Sequence, residues 1–426
     1  SDSYSGESPF KPRIQDKATP KMAVQLANGS TSFDGSNDYI DLPTATAPTG
    51  NEITISFWEK TSAVHSNKLI EGLDSSGDKQ LNIHLHYSNG QSYWDAGHDG
   101  TNYDRINTTN PSGVLGQWNH WAYTKNASTG RMEVYLNGSL FMGGNGKTKP
   151  IGSLSGGSLR VGGKSLNFYD GSLANLAFFS SALTQTQVQE LMFTEKYSGL
   201  SADLKTNLVS WYDLGSVELG ASLITGDSSD MDTVGNWATD SWSNASGFAL
   251  TSVSGGQDGN AMQLTSDSGR GYAKYNSNSG LAVTNGRSYR FSIWGKNGTG
   301  EGAVALGNAK AGSNYQSYYN FTNSDGIVIT SDFQTNDTDL HISLIQQTDG
   351  LSVLFDNVTV KPINVADSHG SNTGSVYGAT TNTGYTDSPH GVVDPLNFGE
   401  VYSGRALSFD GVNDGVTFGQ VDLTDE

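Results

Sequence analysis

Cysteine is missing from all 426 residues. Disulfide scaffolds are therefore excluded, and so is any chemistry that needs a thiolate as nucleophile or metal ligand. Charge is scarce as well: only 16% of residues are charged. The balance is uneven, with 24 Lys and Arg against 43 Asp and Glu, a formal net charge of −19. A phosphate backbone or an anionic bilayer would be repelled, so nucleic acid is set aside as a partner. No apolar run approaches about 20 residues, which leaves no helix for membrane insertion. Proline is sparse, 10 residues against 53 glycines.

What is present points to strands. Gly, Ser, Thr and Asn abound, a composition that suits turn-rich β structure rather than helices. The 10% aromatic fraction argues against disorder. The length suggests two to four domains. Residues 1–22 hold Pro9, Pro12 and Pro20 and read as an extended leader or linker. From Ala23 onward, period-two alternation begins. Ile53, Ile55 and Phe57 alternate with Thr54, Ser56 and Trp58; Leu81, Ile83, Leu85 and Tyr87 with Asn82, His84, His86 and Ser88; Met132, Val134 and Leu136 with Arg131, Glu133 and Tyr135. One apolar face per strand is the pattern of a sandwich. Asn89-Gly90 and Asn137-Gly138 supply tight hairpin turns. One helix is expected after Thr184, which can cap it, with Gln187 completing a capping box before Val188, Leu191 and Met192.

One phrase occurs twice: Ser32-Phe33-Asp34-Gly35-Ser36-Asn37-Asp38-Tyr39-Ile40 and Ser408-Phe409-Asp410-Gly411-Val412-Asn413-Asp414-Gly415-Val416. Copies so far apart mark a repeated domain. The phrase is similar to the opening of laminin-G-like (concanavalin A-like) jelly rolls. Gly116-Gln117-Trp118-Asn119-His120-Trp121-Ala122, Val134–Gly138 and Gly171-Ser172-Leu173 through Ala182-Leu183 follow in that family's order. The resemblance covers 23–214. Acidic residues often follow the Leu173 position in the family; here Ala174 and Asn175 stand instead, which weakens any metal site there.

Residues 215–363 form a second series. Gly286 to Trp294, with its Tyr-x-Phe-Ser-x-Trp strand, and the closing Leu354-Phe355-Asp356-Asn357-Val358-Thr359-Val360 resemble carbohydrate-binding modules of xylanases and glucanases, a galactose-binding-like β-sandwich. After it, Val365 to Ser371 resembles the loop that in laminin-G-like proteins follows a strand such as Leu208–Leu214. The expected organisation is therefore all-β, tandem jelly-roll β-sandwiches: a leader at 1–22, a jelly roll at 23–214, an inserted module at 215–363 that folds autonomously, and the opening part of a second jelly roll at 364–426. That last segment is expected to continue past Glu426; the alternatives are that it packs on the first domain or that a neighbouring chain supplies its missing strands.

No catalytic constellation stands out. Glycoside hydrolysis needs two carboxyl groups held about 5–9.5 Å apart, whereas these acids lie mostly in Gly/Ser/Asn turns, and the acidic strand of concanavalin-fold glucanases is missing. Phosphate-loop, Gly-x-Ser-x-Gly and zinc-protease patterns are missing too. His84 and His86 sit at i and i+2, so a strand would give them one face. With a third ligand such as His98 they would suit a transition metal; otherwise they form a polar sheet face. Aromatics set among Asn, Asp and Gly suit sugar stacking, with amides and carboxylates bonding the hydroxyls. The glycan-binding candidates are Trp237, Trp242, Tyr272, Tyr315 and Tyr318 in the inserted module, and Tyr93 and Trp94 in the first; Tyr103, Tyr275 and Tyr319 lie in similar surroundings. Trp58, Trp118 and Trp294 fall in regular strands and are assigned to core.

Calcium is the expected cofactor, since turn carboxylates, carbonyls and amides supply hard oxygen ligands. The resemblance to carbohydrate modules implies a structural calcium at Asp356, with Asp227 as a partner. Asp34 and Asp38, with Asp410 and Asp414, are further candidates; the alternative for them is Asx turn capping. The reading that follows is a non-enzymatic glycan-binding adhesion protein, extracellular or on a virion surface, and homo-oligomeric. The style is similar to virion proteins of marine tailed phages, where such domains decorate tails, fibres or capsids. Its partners would be host glycans and other virion or fibre subunits. A secreted bacterial adhesin, the binding region of a polysaccharide-degrading enzyme and a purely structural fibre subunit are the alternatives.

Overall fold

The computed structural model describes residues 29–382, apart from 165–166, 242–246, 277–278, 310–311 and 349. The leader, Trp242 and the second copy of the repeated phrase lie outside the described residues. Within them the chain is all-β: two jelly-roll sandwiches share one long strand.

The first sandwich follows the alternation closely. Ile53, Ile55 and Phe57 on strand Glu52–Lys60 are fully buried, as are Leu81 and Ile83 on Lys79–His84 and Met132 and Val134 on Arg131–Leu136. They face one another across a common core with Trp94, Trp121, Tyr123 and Phe178. One sheet runs in the order Ser139–Gly144, Arg131–Leu136, Asn119–Asn126, Glu52–Lys60, Asp170–Phe179, Ser30–Asp34 and Thr380–Asn382, and Leu208–Tyr212 also pairs with Asp170–Phe179. The opposing sheet runs Gly374–Tyr377, Tyr39–Leu42, Ser158–Val161, Ile70–Leu73, Lys79–His84, Gln91–His98 and Tyr103–Thr109. At the hairpin between Arg131–Leu136 and Ser139–Gly144, Asn137 and Gly138 both take positive φ, 48° and 72°. That left-handed pair matches the twist of the two strands, which is why Asn-Gly fits there. The helix Gln185–Met192 starts at Thr184 with its capping box formed, and Val188, Leu191 and Met192 are its buried residues. Such a cap stabilises the helix by about 1 kcal/mol.

The second sandwich is the inserted module. One of its sheets runs Trp237–Ser241, Gly271–Tyr275, Asp339–Gln346, Gly302–Gly307 and Gln316–Phe321. The other contains Ala249–Ser254, Asn260–Thr265, Ser352–Val365, Ser288–Asn297 and Ile327–Gln334. Between them lies a separate core that includes Phe291, Ile293, Leu344, Phe355 and Val358.

The junction differs from the expected organisation. Ser352–Val365 is 14 residues long. Its first part pairs inside the inserted module, and its end, Asn364 and Val365, pairs with Gly374–Tyr377 of the first sandwich. The boundary at 363 therefore falls inside a strand common to both sandwiches, and Ile363 and Val365 are buried in the first core. Residues 364–382, expected to open a second jelly roll, instead close the first as far as the chain is described: Gly374–Tyr377 pairs with Tyr39–Leu42, and Thr380–Asn382 with Ser30–Asp34. The physical reason is edge pairing, since both partner strands would otherwise present unpaired backbone groups. The ends of the insertion are adjacent: the Trp211 N–H donates to Asp367 Oδ1 at 3.0 Å, and the Tyr212 hydroxyl donates to the Asn372 carbonyl at 2.6 Å.

Candidate functional site

The inserted module presents a ruled surface on the outer side of three neighbouring strands. On Ser288–Asn297 the odd residues Tyr289, Phe291 and Ile293 point into the core. Arg290, Ser292 and Trp294 therefore face outward. Register places Arg290 between Lys361 and Asp332, Ser292 between Thr359 and Thr330, and Trp294 opposite Val328. The result is a charged row, a hydroxyl row and an apolar row, laid one after another along the strands. A bulge between Ser292 and Trp294 adjusts the third row. There Asn357 takes φ 51° and lines the surface, while Asp356 is fully buried.

The outward side chains of these rows other than Asp332, with Asn357, Leu219, Gln257 and Asp258, line a trough of about 730 Å³. That is the size of a small-molecule or oligosaccharide site. Trp294 is 8% exposed, and Val328 beside it is 52% exposed. A glycine is required at Gly326, where φ is +88° and a Cβ would lie 2.3 Å from the indole. Arg290 donates to Asp332 through Nε and Nη2, at 2.6 and 2.7 Å; the carboxylate holds the guanidinium pKa above its ordinary value. The Asn357 amide donates to Asp258 Oδ1 at 3.0 Å. The arrangement offers hydroxyls, amides and one ion pair beside an apolar strip, which suits a polyol with one carbon–hydrogen face.

Trp294 was assigned to core from sequence, and it is buried, packed with Ala261 and Leu354. What the assignment left out is strand parity: in Ser-Tyr-Arg-Phe-Ser-Ile-Trp it shares a face with Arg290 and Ser292, not with Phe291 and Ile293, so its remaining edge also lines the trough.

Most of the expected aromatic platform lies elsewhere. Trp237 is buried, donates from Nε1 to the Ser228 carbonyl at 2.9 Å and meets Tyr275 edge-on. Tyr272 is buried against Ala303, Ala305 and Ile345. Tyr315 stacks on Phe333, and its hydroxyl donates to Asn336. Tyr318 sits in strand Gln316–Phe321, but its side chain lies outside the described residues. Turn-like composition around short strands misled the reading, because it does not specify which face a ring takes.

In the first sandwich, Trp94 is also core, donating to the Thr124 carbonyl at 3.2 Å. Tyr93, next to it, faces outward and is half-buried. It joins a second polar and aromatic surface: its ring lies 5.8 Å from His84 and 5.9 Å from Tyr87, and Arg105 stands over both Tyr93 and Tyr103. Arg105 is oriented by the buried Asp95 carboxylate, at 2.6 and 2.8 Å. Burial lowers the His84 pKa, and its Nδ1 pairs with the Asn67 carbonyl.

His84 and His86 do not share a face. The strand ends at His84, and His86 takes φ 51°, which turns it inward to lie 3.3 Å from the buried Glu59 carboxylate. Glu59 also accepts from the Tyr169 hydroxyl at 2.8 Å. Among the described residues no three His, Asp or Glu side chains converge on a common point.

The calcium candidates are dispersed. Asp356 accepts from the backbone N–H groups of Gln257 and Asn357, and burial raises its pKa. Asp227 is exposed and accepts from the Thr233 hydroxyl, so the two expected partners bond to different groups. Asp34 caps a turn, accepting from the N–H of Ser36 at 2.8 Å. Asp38 accepts from the N–H of Asp34 at 3.0 Å. Burial, together with the Asp34 charge, raises its pKa to about 6.

No curated protein matches this sequence. Solved structures resemble parts of it. A heptameric SAP-like pentraxin from Limulus polyphemus is 21% identical over 39% of this chain and 82% of its own, with a TM-score of 0.33. Domain 4 of an extracellular arabinanase from Geobacillus stearothermophilus, solved with arabinotriose, is 20% identical over 38% of this chain and 75% of its own, TM-score 0.30. A xylan-binding domain from Paenibacillus barcinonensis is 13% identical over 35% of this chain and 95% of its own, TM-score 0.25. Residues 34–189, which make up most of the first sandwich, match the family model of the concanavalin A-like lectin/glucanases superfamily.

Proposed function

We propose that this protein is a non-catalytic glycan-binding adhesion protein whose principal site is the trough on the inserted module. The observation that carries the reading is the three-row surface itself: Trp294 and Val328 supply an apolar strip, and Ser292, Thr330, Thr359, Asn357 and Arg290 supply hydrogen-bonding groups to one side of it. The match of the first sandwich to a superfamily of lectins and glucanases supports a saccharide ligand. The non-catalytic part is supported by the state of the nearest acids, with Asp332 bound bidentately by Arg290 and Asp258 bonded to Asn357. Display outside the cell or on a virion surface, with calcium as a structural ion, belongs to the same proposal. It is supported by the acidic, turn-rich β composition.

The test is glycan-array binding by the whole chain, followed by titration of the retained glycan. Trp294→Ala is expected to weaken affinity by roughly tenfold or more, as for loss of an aromatic contact. Val328→Ser, at an exposed position that leaves the core intact, should weaken it several-fold. Unchanged affinity in both variants, with melting temperatures that show both folded, would remove the trough from the proposal.

A further inference from the structure

A second cavity, of about 270 Å³, lies at the junction of the two sandwiches. Val217, Ser288, Gln334 and Ile363 line it from the insertion and its ends, and Gly378 to Thr381 from the returning chain. Arg290 lines both this cavity and the trough, and Asp332, its partner, lines the junction. The two spaces are therefore consecutive along the same strands, with the charged row as the boundary between them. From Ser288, at the junction end, to Trp294, at the far end, six residues of strand span about 20 Å.

The junction wall is a built one. The Gly378 N–H donates to the Ser288 hydroxyl at 2.8 Å, and the Asn37 amide donates to Gln334 Oε1 at 2.9 Å, while Gln334 donates onward to the Gly286 carbonyl at 2.8 Å. Tyr39 and Tyr377 stack at 4.4 Å alongside. These bonds hold residues 378–381 of the first sandwich against the strand ends of the second. Thr380 is exposed, and its backbone pairs with Ser32, so its side chain is free to meet a ligand.

We infer that the junction cavity is a further subsite of the trough, so that one linear oligosaccharide lies along the strands and is held by both sandwiches. This rests on the glycan reading above and adds to it the ligand's form: an internal stretch of a linear, uncharged polysaccharide rather than a single terminal sugar. The net charge of −19 disfavours a polyanionic chain. The Arg290–Asp332 pair, sitting across the path, bonds hydroxyls of the sugar unit that crosses from trough to junction. Because residues 378–381 contribute only when they are docked, a chain long enough to reach them also fastens the returning segment to the insertion.

The experiment is calorimetric titration of the whole protein with the disaccharide and hexasaccharide of β-linked glucan, xylan and galactan. In one series the hexasaccharide should bind at least about tenfold more tightly than the disaccharide. Thr380→Trp, which fills the junction, should abolish that gain and leave the disaccharide affinity unchanged. Amide hydrogen exchange supplies a second readout that needs no variant: the hexasaccharide, and not the disaccharide, should slow exchange at residues 378–381. If the gain with length persists in Thr380→Trp and exchange at 378–381 does not change, the junction is not a subsite, and binding by the trough stands alone. If the disaccharide and hexasaccharide bind equally, the inference falls while the glycan reading survives. If no series binds, both fall.

Discussion

Asp38 gives the sharpest physical test of the junction. Its carboxylate is 7% exposed, beside Asp34, with one oxygen against the backbone of Gly378, where a Cβ would come within 1.9 Å. Burial and the Asp34 charge raise its pKa from 3.8 to about 6. A carboxyl group whose folded-state value is raised binds a proton more tightly in the folded protein. Its contribution to stability is therefore lost as pH rises from about 4 through 6, and is level above that. Converted in full, the shift amounts to about 3 kcal/mol at 1.36 kcal/mol per unit. The neighbours Asp34, Ser36 and Asn37 are exposed, so solvent screens the turn, and about 1–2 kcal/mol is the expected size. Asp38→Asn keeps an acceptor for the Asp34 N–H and removes the charge. Urea unfolding of both proteins at several pH values isolates this residue as a difference. The variant should be more stable by about 1–2 kcal/mol at pH 7.5, and the gap should close as pH falls towards about 4.5. A gap that does not vary with pH, or a variant less stable at pH 7.5, refutes the reasoning. The same titration examines calcium at Asp34 and Asp38. A bound ion would hold both carboxylates charged, so millimolar calcium should then flatten the wild-type profile and leave the variant untouched.

Two further outcomes are expected. Gly326→Ala places a Cβ 2.3 Å from the Trp294 indole at a φ of +88°, so it should cost about 1–2 kcal/mol in urea unfolding and weaken glycan affinity together with it; wild-type stability would contradict the packing described. A chain ending at residue 372 loses Gly374–Tyr377 and Thr380–Asn382, uncovers the edges of both sheets and takes Val376 and Ala379 out of the first core, so light scattering should show self-association that the longer chain does not.

Legibility in the sequence varied with the range of the interaction. Short-range signals were read correctly. Thr184 and Gln187 cap the helix as expected, Asn137-Gly138 makes its turn, and the alternation about Phe57, Ile83 and Val134 faces the core. Errors arose where one residue altered the phase. Leu85 keeps to the core with Leu81 and Ile83, but a positive φ at His86 turned Tyr87 out of the alternation, and with it went the supposed His84–His86 face. Aromatics such as Trp237 and Tyr272 were judged by polar neighbours, although parity and pairing decide exposure. Trp294 is buried as expected, and parity adds that its remaining edge lines the trough.

The repeated phrase shows why pairing is the hardest property to read. Its first copy supplies Ser30–Asp34 and Tyr39–Leu42, one strand to each sheet of the first sandwich. Alternation in these strands specifies which side chains face inward and is silent about which strand lies alongside. The partners, Gly374–Tyr377 and Thr380–Asn382, stand more than 300 residues away and immediately precede the stretch that leads to the second copy. The resemblance of Val365 to Ser371 to a laminin-G-like loop, followed by the second copy of the phrase, suggested that they open a new domain. The insertion alters that expectation, because it leaves and re-enters the first sandwich at adjacent points and so delivers the returning chain to two open sheet edges. Closing those edges also places Gly378 to Thr381 in the wall of the junction cavity, next to the trough. The strands that complete the first sandwich are thereby the same ones that line the cavity beside the candidate site on the second, and it is on this adjacency that the proposal of one binding unit, rather than two domains in series, is built.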